Sequence, residues 1–330
     1  MKRRNILHIA AALGLSVLAC NSAWSQSKDR VVLMLNWYVT GQHAPLFLGK
    51  EKGYFEQEGI DLVIQEGRGS GPTTQAVAAK NVTLGYVDIG TMIKIAAKGA
   101  PVKAIGVALQ KSPMAVISLA EKGITKPSDI KGKIVAMTAG DSPSQIWPLF
   151  LKKTGLKDGD FKTINGDAQT KINAVVNGQA DMLIGYSTDQ NNEIERLTKK
   201  RVNTMLFADY GVNMASSSII AHTSLIKEKP ELLKRFLRAA TKAFEEAQKN
   251  PEEAVNAVLK AAPNTGSKES LLKGLNSSIA LFRASDNEKN RPLRVTKKVM
   301  DDTVAMMIES GGIPPSADNA NNYYTDDLLP

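Results

Sequence analysis

Residues 59–88 and 155–189 are two versions of one segment. The first reads GIDLVIQEGRGSGPTTQAVAAKNVTLGYVD and the second GLKDGDFKTINGDAQTKINAVVNGQADMLIGYSTD. Each holds a short apolar strand, a Gly-containing turn, a helix carrying Ala-Val, and a strand ending in Gly-Tyr and an Asp. A strand–turn–helix–strand unit present twice predicts two similar three-layer α/β lobes, with equivalent turns meeting across a cleft. Such a cleft suits closure around a small molecule.

The N-terminus has the form of an export signal. Lys2, Arg3 and Arg4 form a positive start, and the apolar run from Ile6 to Ala19 is short for a membrane span. Ala23-Trp24-Ser25 fits a cleavage site, so residues 1–25 are expected to be a signal peptide. Cys20 also permits a lipid anchor, although bulky Leu18 two residues earlier disfavours it. Cys20 is the single cysteine, so a disulfide is not expected. The formal charge is +9, three units of it in the leader; the remaining Lys and Arg alternate with Glu, as along Glu231–Lys249. That pattern reads as a solvated surface, and nucleic acid is not an expected partner.

Val31–Leu35, Leu62–Ile64, Ile105–Ala108, Met114–Leu119 and Ile134–Met137 read as strands. Leu46–Phe55 and Thr73–Lys80 read as helices, with Gly53 ending the first and Pro72 opening the second. Ser142-Pro143-Ser144-Gln145 has capping-box spacing with Ser142 as the cap. Leu232, Leu233, Phe236, Leu237, Ala240 and Phe244 make one apolar stripe at helical spacing. Beyond about Gly311 no pattern is evident. The expected division is a discontinuous lobe, 27–112 plus 222–330, enclosing a continuous lobe, 113–221.

Motifs for catalysis are missing: there is no phosphate-binding G-x-x-x-x-G-K-[ST] loop, no G-x-S-x-G elbow and no H-E-x-x-H. Only His43 and His222 follow the leader, so neither a metal nor a cofactor is expected, and the chain is read as not an enzyme. The strand ends carry the candidate ligand contacts, because ligands of open α/β sheets bind beyond the carboxyl ends of the strands, where helix N-termini offer free N–H groups. In the first half these are Trp37, Tyr38, His43, Arg68, Gly69, Ser70, Gly71, Tyr86 and Asp88; in the second, Asp141, Ser142, Asp167, Tyr186 and Asp189. Bland roles stand beside these. Gly69 and Gly71 serve either a tight turn or a ligand, Ser142 and Asp167 either cap helices or touch ligand, and Trp37 is either core or a stacking wall. His43 suits a helix-start hydrogen bond, and Trp147 suits packing.

LNWYVTGQHAPLFLGKEKGYFEQEGIDL at 35–62, GSGPTTQAVAA after it, PSDIKGKIVAM at 127–137 and PELLKRFLRAATKAF at 230–244 resemble one family. It is the type II periplasmic substrate-binding proteins of ABC importers, in the group serving nitrate, sulfonates, taurine and thiamine pyrimidine precursors. The resemblance runs from about Val31 to Lys249. It implies a monomeric periplasmic receptor whose lobes close about a two-strand hinge and dock on a membrane permease driven by a separate ATPase. Asn36-Trp37 with His43 looks like the pyrimidine-precursor branch, although Asn36 stands where that branch has Asp. That branch implies Trp37, Tyr86 and Tyr186 as an aromatic wall and Asp88 or Asp189 as acceptor for a ring amino group. A sulfonate, taurine or aromatic carboxylate would instead use Arg68 and the helix starts. The fold is also similar to that of enzymes that make the thiamine pyrimidine from their own histidine and a pyridoxal cofactor, which carry a cysteine-rich iron site. A ligand-presenting sensor is a third reading.

Overall fold

The computed structural model describes residues 28–283 and 291–330. The expected signal peptide at 1–25 and Cys20 lie outside the described residues. Ten strands form in chain order: β1 (Asp29–Met34), β2 (Ile60–Gln65), β3 (Leu84–Asp88), β4 (Val102–Val107), β5 (Met114–Leu119), β6 (Ile134–Met137), β7 (Lys162–Asn165), β8 (Met182–Tyr186), β9 (Val202–Leu206) and β10 (Ser217–His222). They make two five-stranded sheets, ordered β2-β1-β3-β10-β4 and β7-β6-β8-β5-β9. Strands β3, β5 and β8 are buried along their whole length, as near-continuous apolar runs between helical layers should be.

The two sheets follow one plan. In the first, β1 runs parallel to β2 and β3, and β10 lies antiparallel to β3 and β4. In the second, β6 runs parallel to β7 and β8, and β5 lies antiparallel to β8 and β9. The duplicated segments occupy matching places: β2, helix Ser70–Ala78 and β3 in one sheet, and β7, helix Ala168–Val176 and β8 in the other. The α/β class with two similar lobes is what the chain adopts.

Each antiparallel strand arrives from the opposite sheet, since β5 follows β4 and β10 follows β9 in the chain. The two crossovers bond each other: the Leu109 N–H donates to the Ser217 carbonyl at 3.0 Å and the Ser216 N–H to the Leu109 carbonyl at 2.8 Å. Strand β10 pairs from Ser217 opposite Asp88, so residues 217–221 sit in the first sheet rather than in the second lobe. Residues 217–221 are buried there on both faces, and β3 and β4 supply their ladder partners.

Helix Pro230–Lys249 buries Leu233, Phe236, Leu237, Ala240 and Phe244 on the first sheet's core, with Phe236 5.2 Å from Phe55 between ring centroids. In the second lobe Trp147 stacks on Phe150 at 5.1 Å, and Phe150 on Phe207 at 4.5 Å. The C-terminal tail has more order than its composition announces. Helix Lys297–Glu309 accepts the Ala215 N–H on Thr303 Oγ1, Tyr323 and Tyr324 are buried, and the Tyr323 carbonyl takes the Ala104 N–H at 2.8 Å. Its anchors are single residues without a period, which is why pattern reading misses them.

The lobes meet at the glycine turn. The Gly71 N–H donates to the Gly140 carbonyl across the cleft at 3.2 Å. A Cβ on Gly69, whose φ is +132°, would stand 2.8 Å from that carbonyl oxygen. Gly69→Ala is therefore expected to do two things: lower stability by roughly 1–3 kcal/mol through backbone strain, and widen the cleft in small-angle scattering. Gly123→Ala is the control, with φ +65° and open space around it; it should lose stability without widening. Equal scattering for the two variants would show that Gly69 does not set the lobe contact.

Candidate functional site

The carboxyl ends of β1, β3, β6 and β8 converge between the lobes. They surround a cavity of about 30 Å³ lined by Asn36, Trp37, Gln42 and Ser70 from one side and by Asp141, Ser142, Pro143, Lys171, Gly185, Tyr186, Asp189 and Gln190 from the other. Trp37 is nine-tenths buried yet lines this space, and its indole Nε1 has no hydrogen-bond partner among the described residues. It is both a core residue and a wall.

Lys171 is the feature that sequence reading passes over. It sits in helix Ala168–Val176 on the inward face with Ile172 and Val175, and its side chain is 2 % exposed. Its ammonium donates to Asp141 Oδ2 at 2.8 Å and to the Ile184 carbonyl at 3.0 Å, and lies 5.1 Å from the centre of the Trp37 ring. A charge among apolar positions of a helix face was the available signal, because a buried ammonium persists only when paired. Asp141 also caps helix Ser142–Thr154 by accepting the Ser144 N–H at 2.9 Å. The cap is thus Asp141 and not Ser142, whose hydroxyl instead bonds the Ser70 hydroxyl across the cleft at 2.7 Å.

Two carboxylates take tyrosine hydroxyls from the opposite lobe. Tyr38 donates to Asp189 Oδ2 at 3.0 Å, and Tyr186 reaches Asp88 Oδ2 at 3.5 Å. Burial pushes both carboxyls up to about 6, against the opposing pull of their hydrogen bonds. Asp88 faces away from the cavity: it accepts the Thr91 N–H and the Ser216 hydroxyl, capping helix Ile89–Ala96.

The remaining sequence candidates separate by position. Tyr38 lies in an outer cleft of about 470 Å³, which Asp189 also borders. His43 is fully buried behind Asn36, and burial pushes its imidazole down to about 3. Tyr86 is buried behind Gln42, 5.2 Å from the His43 ring. Gly69 and Gly71 abut Gly140 and form the lobe contact. Arg68 and Asp167 are exposed, and Asp167 caps helix Ala168–Val176 through the Thr170 N–H at 2.8 Å. Asn36, Gln42, Lys171 and Gln190 are lining residues absent from the sequence candidates; folding alone brings them together. Among the described residues no group of three His, Cys, Asp or Glu side chains could hold a metal, so the residues present do not build a cysteine-rich iron site.

A family model described as NMT1/THI5 like matches residues 40–254. A relative in Legionella pneumophila, named 4-amino-5-hydroxymethyl-2-methylpyrimidine phosphate synthase, is 29% identical, with 73% of this chain and 76% of that one covered. Among solved structures, the periplasmic aliphatic sulphonate binding protein SsuA from Escherichia coli matches with a TM-score of 0.69 at 16% identity, over 93% of this chain and 94% of that one. The periplasmic nitrate-binding protein NrtA from Synechocystis matches with a TM-score of 0.66 at 13% identity, over 92% and 87%. These structures share the fold. The relatives correct the expectation of a non-enzyme: several, at 26–29% identity, carry an enzyme's name. Missing motifs misled there, because the motifs sought belong to other chemistries.

Two outcomes follow from the charges. Asp88 and Asp189 bind protons more tightly in the fold than in the unfolded chain, so the stability they add is full below about pH 3.8 and is lost as pH rises through about 6. His43 has the opposite sign, its contribution being lost as pH falls from 6.5 towards 3. Asp189→Asn should therefore gain stability relative to the parent between pH 4 and 6, on the order of 1 kcal/mol per pH unit, and stay level above. A flat difference in urea unfolding across that range would mean that Asp189 titrates normally. Lys171→Met, which strands a buried Asp141, should cost about 3–5 kcal/mol. Adding Asp141→Asn should recover part of that loss; no recovery would mean that the pair is not coupled.

Proposed function

The chain belongs to the NMT1/THI5-like family, and on that footing we propose that it is an exported receptor for a small ring of the pyrimidine class. The ligand binds between the lobes, which close on it and present it to a membrane permease served by a separate ATPase. The observation that carries this reading is the cavity between the sheets, with the Trp37 indole as one wall and polar groups from both lobes around it. Contacts from two bodies mean that a bound ring favours their approach, so ligand and closure stabilise each other.

A cavity of about 30 Å³ is far below the roughly 150 Å³ that accepts a benzene ring. Ring binding therefore requires the Tyr38–Asp189 and Ser70–Ser142 contacts to part, joining the inner space to the outer cleft. The name of the Legionella relative supports a pyrimidine. A sulfonate, as the SsuA name has it, would face buried Asp141 as well as Asp189 with one ammonium already paired. The same reading includes a monomer in the periplasm, a signal peptide at 1–25 and lobes dividing near 113 and 216. The relatives' names favour a second reading, in which the cleft performs chemistry on a pyrimidine.

The test is the melting temperature of the mature protein against pyrimidines, alkylsulfonates and aromatic acids, with mass spectrometry of each mixture for turnover. A pyrimidine at about 100 times its Kd should stabilise by roughly 2.7 kcal/mol. A shift with sulfonates or acids alone would overturn the reading. A new product mass would establish the second one.

A further inference from the structure

We infer that the outer cleft is a second subsite, which takes a positively charged amine arm carried by the ring that binds against Trp37. The inference rests on the ring-binding reading above and deepens it by naming a substituent and its place.

Space comes first. The inner cavity holds about 30 Å³ and the outer cleft about 470 Å³, so most of the room lies in the outer cleft. Asp189 borders both spaces, and they join where Tyr38 parts from it. The outer cleft by itself is roughly three times the volume that accepts a benzene ring. A ring seated on Trp37 therefore leaves space beyond it for a substituent, walled by both lobes.

Charge decides what that substituent is. Glu66, Asp189 and Glu193 line the outer cleft, and Arg196 is the one cation among its described lining residues. Arg196 is committed to Glu193, donating from Nε at 2.8 Å and from Nη2 at 2.6 Å. Both partners lie in helix Gln190–Thr198, so this pair survives any parting of the lobes. Glu66 accepts the Val39 N–H on Oε1 at 3.0 Å, a contact within the first lobe that also survives. Asp189 becomes free to accept from a ligand once Tyr38 leaves it. Burial pushes its carboxyl up to about 6, and the Glu193 charge adds to that, against the pull of Tyr38 and Lys171. A cation in the cleft would relieve this repulsion. Glu66 and Asp189 are thus left without a lining cation to match them, which disfavours an anionic arm and attracts a cationic one.

A hydroxyl supports the same assignment independently of charge. Thr188 lines the cleft at 4 % exposure, and its Oγ1 has no hydrogen-bond partner among the described residues. Buried polar side chains are nearly always bonded, and an N–H from the arm would complete this one. Tyr38 adds an aromatic wall beside Trp37, 5.8 Å away between ring centroids, and an aromatic face favours a cation.

The experiment is calorimetric titration of the parent protein, Glu66→Gln and Thr188→Val at low and high salt, with melting temperatures to check each fold. The probes are 4-amino-2-methylpyrimidines whose 5-substituent is methyl, 2-hydroxyethyl, 2-aminoethyl or carboxymethyl; 2-phenylethylamine and 2-phenylethanol repeat two arms on another ring. The parent should bind the amine arm about tenfold or more tighter than the hydroxyl arm, the size of one charge-assisted hydrogen bond, and the carboxylate arm weakest. High salt should shrink that ratio. Glu66→Gln, which keeps an oxygen for the Val39 N–H, should lower it about threefold. Thr188→Val should weaken both polar arms relative to the methyl ring. Equal binding of amine and hydroxyl arms, tighter binding of the carboxylate arm, or a ratio unchanged in Glu66→Gln would overturn the inference; the ring reading would stand if the methyl ring still bound. A preference for 2-phenylethylamine over 2-phenylethanol with no pyrimidine bound would uphold the arm subsite and sink the pyrimidine reading. Binding of none of the probes would overturn both.

Discussion

Everything at the cleft depends on an exchange of strands between the sheets. Each sheet borrows its antiparallel strand from chain returning out of the other lobe, β5 in one direction and β10 in the other. The lobes are thus joined by two crossovers that also hydrogen-bond each other. Paired connections restrict twisting far more than one linker would, while leaving opening and closing available. Because the exchange is symmetric, the carboxyl ends of the parallel strands face one another. Asn36 and Trp37 then meet Tyr186, Asp189 and Lys171 across a small space.

Electrostatics in that space is governed by burial. A lysine at 2 % exposure persists because Asp141 and the Ile184 carbonyl hold it, and Asp141 is itself fixed by capping a helix. Among the described residues neither Asp88 nor Asp189 has a cation in direct contact, and desolvation raises both, at Asp189 against the weaker pull of nearby Lys171. Each is met by a tyrosine hydroxyl from the opposite lobe, so lobe contact and carboxylate charge are linked. A ligand entering here replaces contacts between the lobes with its own.

Particular residues show how far sequence reading reaches. Trp37, Ser70, Asp141, Ser142, Tyr186 and Asp189 follow from strand-end logic, and all line the cavity. Tyr86, Asp88 and His43 satisfy the same logic, yet they stand one layer behind, holding Gln42, Ser216 and Asn36. Strand ends identify a neighbourhood; which side chain of a neighbourhood reaches the centre is a matter of rotamer and partner. Arg68 and Asp167 occupy equivalent turns but point to solvent, because the turns that touch do so through glycine backbone. The enzyme name among the relatives lay beyond the catalytic motifs sought, although it fits the pyrimidine-making alternative that the family resemblance offered.

The sequence by itself determined the duplicated unit, the α/β class, the apolar stripe of helix Pro230–Lys249 and the glycine turn. All of these are local, written in spacing and in the absence of side chains. Tertiary structure alone decided that residues 217–221 join the first sheet, that Lys171 pairs with Asp141 thirty positions away, and that Asn36 meets His43 and Gln42 meets Ser217. The physical reason is the same in each case. Hydrogen bonds and ion pairs between distant residues exist only once the chain has brought their partners within about 3 Å, and no periodicity along the chain records which partners those will be.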